Sequence, residues 1–214
     1  MSEGQPSAAD RAHAFVKERI IDGSFAGGTL ITEGEIADAL RMSRTPTREA
    51  FLRLQAEGLL RLYPKRGALV VPVSVSEIHD VLDARLLIER HAAETVIGAG
   101  RHHAVAAAMR ALLDQQRSTA GGPDAPAFSE LDRLFHSTLV NAAGNEILVE
   151  FYAGLRDRQL RMTTRAVQRD PRRLEGSISE HAELCDLLEA ADLAAFTDML
   201  ETHMTATHTA VTAS

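Results

Sequence analysis

Residues 42–67, MSRTPTREAFLRLQAEGLLRLYPKRG, constrain this chain more than any other stretch. The first half reads as a helix over 45–58. Thr45 is a good N-cap, Pro46 suits the first helical position, where a missing N–H costs nothing, and Gly58 is a stop. Ala50, Phe51 and Leu54 recur at helical spacing and should face a core. Arg44, Thr47 and Arg48 are expected off that stripe, at the helix start. A helix N-terminus that presents arginines and hydroxyls suits phosphates and base edges. Two short apolar runs follow, 59–63 and 68–73, joined by Pro64-Lys65-Arg66-Gly67. They predict a hairpin with a basic tip.

Upstream, residues 8–22 read as a helix with Ala12, Phe15, Val16 and Ile20 on one face. After a Gly-rich loop, Thr32 opens another helix, and Thr32-x-x-Glu35 has capping-box spacing. Helices over 32–40 and 45–58, with the hairpin behind them, predict a winged helix-turn-helix whose second helix enters the major groove. The alternative from spacing alone is an amphipathic helix and hairpin with a solvated basic face. Charge favours the DNA-contacting reading. Residues 41–66 hold seven Arg and Lys against two Glu, within a chain of formal net charge −7. A basic island in an acidic protein is the electrostatic footprint of a nucleic-acid contact.

Residues 73–76 mark a change of pattern, so the chain divides into a first domain over 1–73 and a second over 74–214. The second is acidic and is not expected to bind nucleic acid. It shows only the 3.6-residue period, with breaks at Gly98/Gly100, Gly121-Gly122-Pro123, Gly144-Asn145, Asp170-Pro171 and Ala191-Asp192. Six helices are predicted, over 76–99, 101–119, 126–142, 144–169, 173–190 and 192–210. The expected fold class is mainly α, a winged helix-turn-helix followed by an all-helical bundle.

The bundle carries Asp132 and His136 four residues apart, on one helix face about a turn apart. His181 and His203 lie in two further helices. One Asp and three His suit a borderline divalent metal: zinc first, with nickel and manganese as alternatives. Among nine histidines chance pairings are easy, and from spacing alone a plain surface or core reading stays open. From spacing alone, Arg85-x-x-x-Glu89 reads as a helix i,i+4 ion pair.

SRTPTREAFLRLQAEGL, with RIIDGSF before it and PKRGALVV after it, resembles the winged-helix domain of GntR-family transcription regulators. Two departures are visible: Gly34 stands where some members carry a DNA-contacting arginine, and Thr47 replaces the usual valine. Asp132-x-x-Phe135-His136, Asn141-Ala-Ala-Gly144-Asn145, Glu180-His181, Asp192 and His203 resemble the FCD effector-binding domain of the FadR branch. That resemblance implies a metal held by Asp132, His136, His181 and His203, with Arg85 helping to hold a carboxylate ligand.

The expectation is a DNA-binding transcription regulator, a repressor rather than an activator. It would bind a palindromic double-stranded operator as a homodimer and be controlled by a small organic acid at the metal site. Arg44, Thr45, Thr47 and Arg48 would contact the operator with the wing residues Lys65, Arg66 and Gly67. Arg44 is assigned to base readout and Arg48, Lys65 and Arg66 to phosphates. One alternative is a regulator for which the metal itself is the effector. A remoter one is a metal-dependent enzyme, against which no further general base stands at a recognisable spacing. No run of about 18 apolar residues is present, so no membrane span is expected. The N-terminus has no basic–apolar–small pattern, and the single cysteine, Cys185, forms no internal disulfide. A reduced cytoplasmic setting is therefore expected.

Overall fold

The computed structural model describes residues 6–119 and 125–212. The chain divides into two compact units, Met1–Val73 and Ser74–Ser214. In the first, the order is α1 (Ala8–Ile21), β1 (Leu30–Ile31), α2 (Glu33–Ala39), α3 (Arg44–Ala56), β2 (Leu60–Tyr63) and β3 (Gly67–Val70). The strands form an antiparallel sheet of order β1-β3-β2, with Ile31 opposite Ala68 and Leu62 opposite Ala68 from the other side. Val16, Ile20, Ile36, Phe51, Leu54, Leu60 and Val70 make its core. Two residues are too few for a period-2 signal, which is why β1 is not visible in the sequence.

Local chemistry sets these boundaries. Thr32 and Glu35 form the expected capping box: the Glu35 N–H donates to Thr32 Oγ1 at 3.2 Å, and the Thr32 N–H donates to Glu35 Oε2 at 2.8 Å. The start of α3 differs from expectation. Its N-cap is Ser43, in extended backbone and without a side-chain cap bond, so Thr45 and Pro46 lie inside the first turn. Pro46 still forfeits nothing there, because none of the first N–H groups has a partner within the helix. Gly58 ends α3 at φ +75°. The Gly58 N–H donates to Gln55 O and the Leu59 N–H to Leu54 O, the paired bonds of a Schellman stop.

The second unit contains, among the described residues, seven helices rather than six. They are α4 (Val75–Gly98), α5 (His102–Thr119), α6 (Ala125–Ala143), α7 (Glu146–Gly154), α8 (Arg156–Arg169), α9 (Arg172–Glu189) and α10 (Leu193–Thr212). The single helix expected over 144–169 is broken at Leu155, whose N–H turns back to Tyr152 O instead of continuing the α ladder. Leu155 keeps right-handed dihedrals, φ −82° and ψ −6°, so no breaker residue marks the site beyond Gly154. Burial supplies the reason for the break. α7 buries only Tyr152, whereas α8 buries eight residues between Gln159 and Val167. The expected break at 121–123 lies outside the described residues. α6 sits centrally, packed on α4, α5 and α8, while α9 packs on α5 and α10. That arrangement turns faces of α4, α5, α6, α8, α9 and α10 toward one interior.

Candidate metal centre and nucleic-acid interface

Asp132 and His136 project from α6, His181 from α9 and His203 from α10. All four are buried, and one ligating atom from each lies within 4.8 Å of the others. The imidazole centroids are 4.9–5.1 Å apart. Phe135 stacks on His181 at 4.2 Å and holds that ring in place.

Each histidine is oriented by a different helix. His136 Nδ1 meets Glu89 Oε2 of α4 at 2.7 Å, and His203 Nδ1 meets Glu180 Oε2 of α9 at 2.7 Å. His181 Nδ1 meets Gln116 Oε1 of α5 at 2.8 Å. A carboxylate or amide oxygen can only accept, so each Nδ1 presents its proton to that oxygen, and in the neutral ring Nε2 keeps a lone pair; Arg173 Nη2 also lies 3.3 Å from His203 Nδ1. The Nε2 atoms of His136 and His181 are buried and have no hydrogen-bond partner among the described residues. Asp132 Oδ1 is 3.5 Å from His181 Nε2, and Thr163 of α8 donates to Asp132 Oδ2 at 3.3 Å. Buried lone pairs beside a carboxylate, each ring fixed through its other nitrogen, are what a divalent metal requires of its protein ligands. Three imidazoles and one carboxylate are a donor set for a borderline divalent metal.

Electrostatics agree. Burial pushes His181 well below the ordinary imidazole range, and the neighbouring His203 and His136 add to the shift. Burial also lowers His203, against the opposing hydrogen bond to Glu180. Both shifts favour the neutral ring, the form a metal needs. Burial opposes the Glu180 charge, but hydrogen bonds from Arg173 and His203 outweigh it and hold the carboxyl at about 2. Burial likewise opposes the Glu89 charge. His136 and Arg85 still hold it well below the usual carboxylate range, helped by the Tyr152 hydroxyl at 2.6 Å.

Arg85 pairs with Glu89 through Nε at 3.0 Å, so the ion-pair reading of that spacing holds. Its Nη2 is nevertheless buried without a partner among the described residues. One guanidinium thus anchors Glu89 and keeps a donor in reserve. Glu89, Gln116, Glu180, Tyr152 and Thr163 all support the centre, and spacing did not identify them in that role. Gln116 had one usable signal. It follows Met109 and Leu113 on the buried stripe of α5, and a polar residue there needs a buried partner.

In the first unit, α3 and the β2–β3 wing enclose a groove of about 850 Å³. Arg44, Arg48, Lys65, Arg66 and Gly67 line it, and the four cationic side chains are exposed. Thr45 is exposed at the start of α3 but is not part of the lining. Thr47 corrects the expected surface position. It is fully buried, and its hydroxyl turns back to Ser43 O at 3.5 Å. The spacing 47-50-51-54 places it on the apolar stripe. Gly67 has φ +108°, and a Cβ there would lie 2.5 Å from Ile31 O. Its bareness is demanded by β1 inside the protein itself. A Cβ at Gly34 would lie 3.4 Å from Arg44 Nη2, so the guanidinium rests over the start of α2. His13 and Lys17 of α1 both reach Glu57, while Asp10 pairs with Arg53, which fixes α3 against α1.

Residues 8–70 match the family described as bacterial regulatory proteins, gntR family, and residues 80–206 match the FCD domain. An uncharacterized HTH-type transcriptional regulator in the TAR-I ttuE-ttuC' intergenic region of Agrobacterium vitis is 34% identical over 144 residues, 66% of this chain and 82% of that protein. The gluconate operon transcriptional repressor of Bacillus licheniformis is 29% identical over 150 residues, 70% of this chain and 61% of that one. Among solved structures, a GntR transcriptional regulator from Rhodococcus sp. RHA1 has a TM-score of 0.73 at 24% identity. That match covers 96% of this chain and 98% of the other and speaks for a shared fold.

Proposed function

Because the chain belongs to the GntR family of bacterial regulatory proteins and carries an FCD domain, we propose that it is a metal-assisted, acid-responsive repressor. It is a DNA-binding transcription regulator. A palindromic operator and a homodimer are the reading that follows from two-fold operators mirroring two-fold proteins, and repression is in keeping with relatives named as a gluconate operon repressor and a probable D-xylose utilization operon repressor. In that reading Arg44 reads a base edge, and Arg48, Lys65 and Arg66 grip phosphates across the groove. No described helix is long and apolar enough to cross a membrane, and a cytoplasmic setting suits a regulator that meets DNA.

The observation that carries the effector reading is the opposed pair of buried orphans. His136 and His181 offer lone pairs, and Arg85 offers a free N–H. The first call for a cation, the second for an anionic oxygen. Asp132, His136, His181 and His203 would hold zinc, with nickel or manganese as alternatives. When bound, the ion supplies a Lewis-acidic anchor for a carboxylate. The chain's own part is to orient the four ligands, exclude water and present Arg85 to the effector. A small organic acid is the effector class: a hydroxy acid, a dicarboxylate or a sugar acid. The relative named for a gluconate operon is in keeping with that class. The ligand controls DNA affinity to the extent that it prefers one arrangement of the protein over another.

A thermal-shift screen of the purified protein against small carboxylates, before and after metal stripping, tests this. A ligand at a hundred times its Kd stabilises by about 2.7 kcal/mol. A hit that disappears on stripping is the expected result. A metal-loaded protein that answers to no carboxylate, yet changes its operator affinity with metal alone, would make the ion itself the effector.

A further inference from the structure

The three imidazoles of the centre are oriented by partners of two chemistries. His136 Nδ1 faces a Glu89 oxygen and His203 Nδ1 a Glu180 oxygen, each at 2.7 Å. His181 Nδ1 faces the Gln116 amide oxygen at 2.8 Å. A carboxylate accepts at both ends. A carboxamide accepts at one end and donates at the other, and the two ends have nearly the same shape. Glu89 is also held from behind, by Arg85 at 3.0 Å and Tyr152 at 2.6 Å, and Glu180 by both terminal nitrogens of Arg173. Gln116 is fully buried, and its Nε2 has no hydrogen-bond partner among the described residues. The amide donor therefore gives up no bond when the group makes a half-turn about its Cγ–Cδ bond.

A second unpartnered atom lies across the same ring. His181 Nε2 is buried without a hydrogen bond among the described residues, and Asp132 Oδ1 stands 3.5 Å from it. That is about 0.3 Å beyond an ordinary N–H···O bond. A half-turn of the amide brings Gln116 Nε2 to His181 Nδ1 as a donor. Nδ1 then has to accept, so the ring proton sits on Nε2, where it points to Asp132. One N–H bond is exchanged for another with solvent, and burial beside His203 and His136 favours the neutral ring in either form. This one rearrangement gives partners to both orphans. It leaves the Gln116 oxygen without a donor, and a buried carbonyl goes unmatched more readily than a buried N–H. The rearrangement is closed to His136, because Glu89 has no donor to turn inward. At His203 the Glu180 oxygen at 2.7 Å is nearer than Arg173 Nη2 at 3.3 Å, which favours a proton on Nδ1 there too.

On the metal reading of the centre, and independently of any acid, we propose that Gln116 is a positioning residue that switches His181 between two tautomers. With the amide oxygen toward the ring, Nδ1 carries the proton and Nε2 is a metal ligand. With the amide NH2 toward the ring, the Nε2 proton is held against Asp132, and two of the four ligands are tied to each other instead of to a cation. A metal selects the first arrangement because it binds that one alone. His136 is set for the ion in both arrangements. His181 and Asp132 are recruited together, when the amide on α5 turns over.

The test is nitrogen NMR of the imidazoles in the isotope-labelled full-length protein, zinc-loaded and after chelation, with His136 as the internal reference. In the loaded protein His136 and His181 should both carry the proton on Nδ1. On stripping, His136 should keep that pattern and His181 should invert, with Nε2 protonated and Nδ1 bare, and added zinc should restore it. Gln116→Glu presents an oxygen whichever way it turns, so its His181 should stay protonated on Nδ1 after stripping. Gln116→Met serves where the glutamate variant or the stripped parent folds poorly. It has no acceptor for the Nδ1 proton and should hold zinc about tenfold more weakly, the low end of what an outer partner contributes. A parent His181 that keeps its proton on Nδ1 after stripping would overturn the switch, as would a His136 that inverts alongside it. Inversion that persists in Gln116→Glu would take the role from Gln116, and so would zinc held by Gln116→Met as tightly as by the parent. A parent that takes up no zinc, nickel or manganese would overturn the metal reading itself, and the switch with it.

Discussion

Replacing Glu89 with glutamine changes one atom and reaches the metal ligands through a proton. The Glu89 carboxylate accepts three hydrogen bonds, from Arg85 Nε at 3.0 Å, from Tyr152 at 2.6 Å and from His136 Nδ1 at 2.7 Å. The first two share Oε1, and the third has Oε2. In Glu89→Gln one oxygen becomes an NH2 group. Facing it toward Arg85 and Tyr152 opposes two donors; facing it toward His136 opposes one. The amide therefore keeps its oxygen toward the pair and turns its NH2 to the imidazole. His136 relieves the conflict by moving its proton from Nδ1 to Nε2, which converts Nδ1 into an acceptor. The Nε2 lone pair is then gone, and His136 ceases to be a ligand.

Two magnitudes follow. Loss of an outer partner of this kind typically lowers metal affinity by about 10–100-fold. The buried Arg85 charge also loses its counter-charge. Breaking a buried pair costs about 3–5 kcal/mol, and the lower end applies because the amide oxygen still accepts from Arg85. Tyr152→Phe is the control. It removes one hydrogen bond to a charged group, worth about 1.5–3 kcal/mol, and leaves the His136 tautomer alone. Zinc affinity by competition with a chromophoric chelator, and thermal unfolding of the metal-free proteins, separate the two variants. Both should melt earlier than the parent, and only Glu89→Gln should release zinc. Zinc held as tightly by Glu89→Gln as by the parent would refute the tautomer argument, as would equal weakening by Tyr152→Phe.

Three further outcomes are expected. Arg44→Ala should weaken specific operator binding by about 1–3 kcal/mol and relax preference at one base pair, read by competition binding at fixed salt; an unchanged binding curve would remove Arg44 from base readout. Thr47→Val should leave operator affinity nearly unchanged, because the side chain is buried, whereas loss of a direct base contact would cost about 1–3 kcal/mol. Asp10 sets a pH signature. Hydrogen bonds from Arg53 and Ser7 lower its carboxyl from the ordinary 3.8 to about 2. A depressed folded value gives stability that is present above about pH 4 and fades as pH falls toward 2. The thermal deficit of Asp10→Asn relative to the parent should therefore be visible at pH 6 and absent near pH 2.

How much of this was legible in the residues depends on where each interaction closes. Motifs that close within a turn or two were readable, because helical spacing alone brings the partners together. The capping box at Thr32 and Glu35, the stop at Gly58, the pair Asp132/His136 and the ion pair Arg85/Glu89 are of this kind. Thr47 was misplaced by its chemistry: a hydroxyl suggested the surface, while the spacing to Ala50, Phe51 and Leu54 pointed to the stripe. The break at Leu155 was invisible because both sides keep helical dihedrals. What separates α7 from α8 is which residues the rest of the bundle accepts, a tertiary property.

The metal ligands and their supports show the same division more sharply. His181 and His203 were recognised through a family resemblance, since no local spacing links α6 to α9 and α10. Their outer partners could not be, because each acceptor comes from a helix other than the one carrying its histidine: Glu89 from α4, Gln116 from α5, Glu180 from α9. Under the acid-effector proposal this separation has a consequence. Were each acceptor on its own histidine's helix, tautomer and ring angle would be set locally, and occupancy of the centre would be felt by α6, α9 and α10 alone. Here the three imidazoles are held by bonds that also tie in α4 and α5, and Tyr152 extends the Glu89 bond to α7. A ligand that draws on Arg85 must act on Glu89, and through it on His136 and on α7 together. Coupling of this form needs no long wire. It requires only that the residues which complete the site are the ones that join its helices.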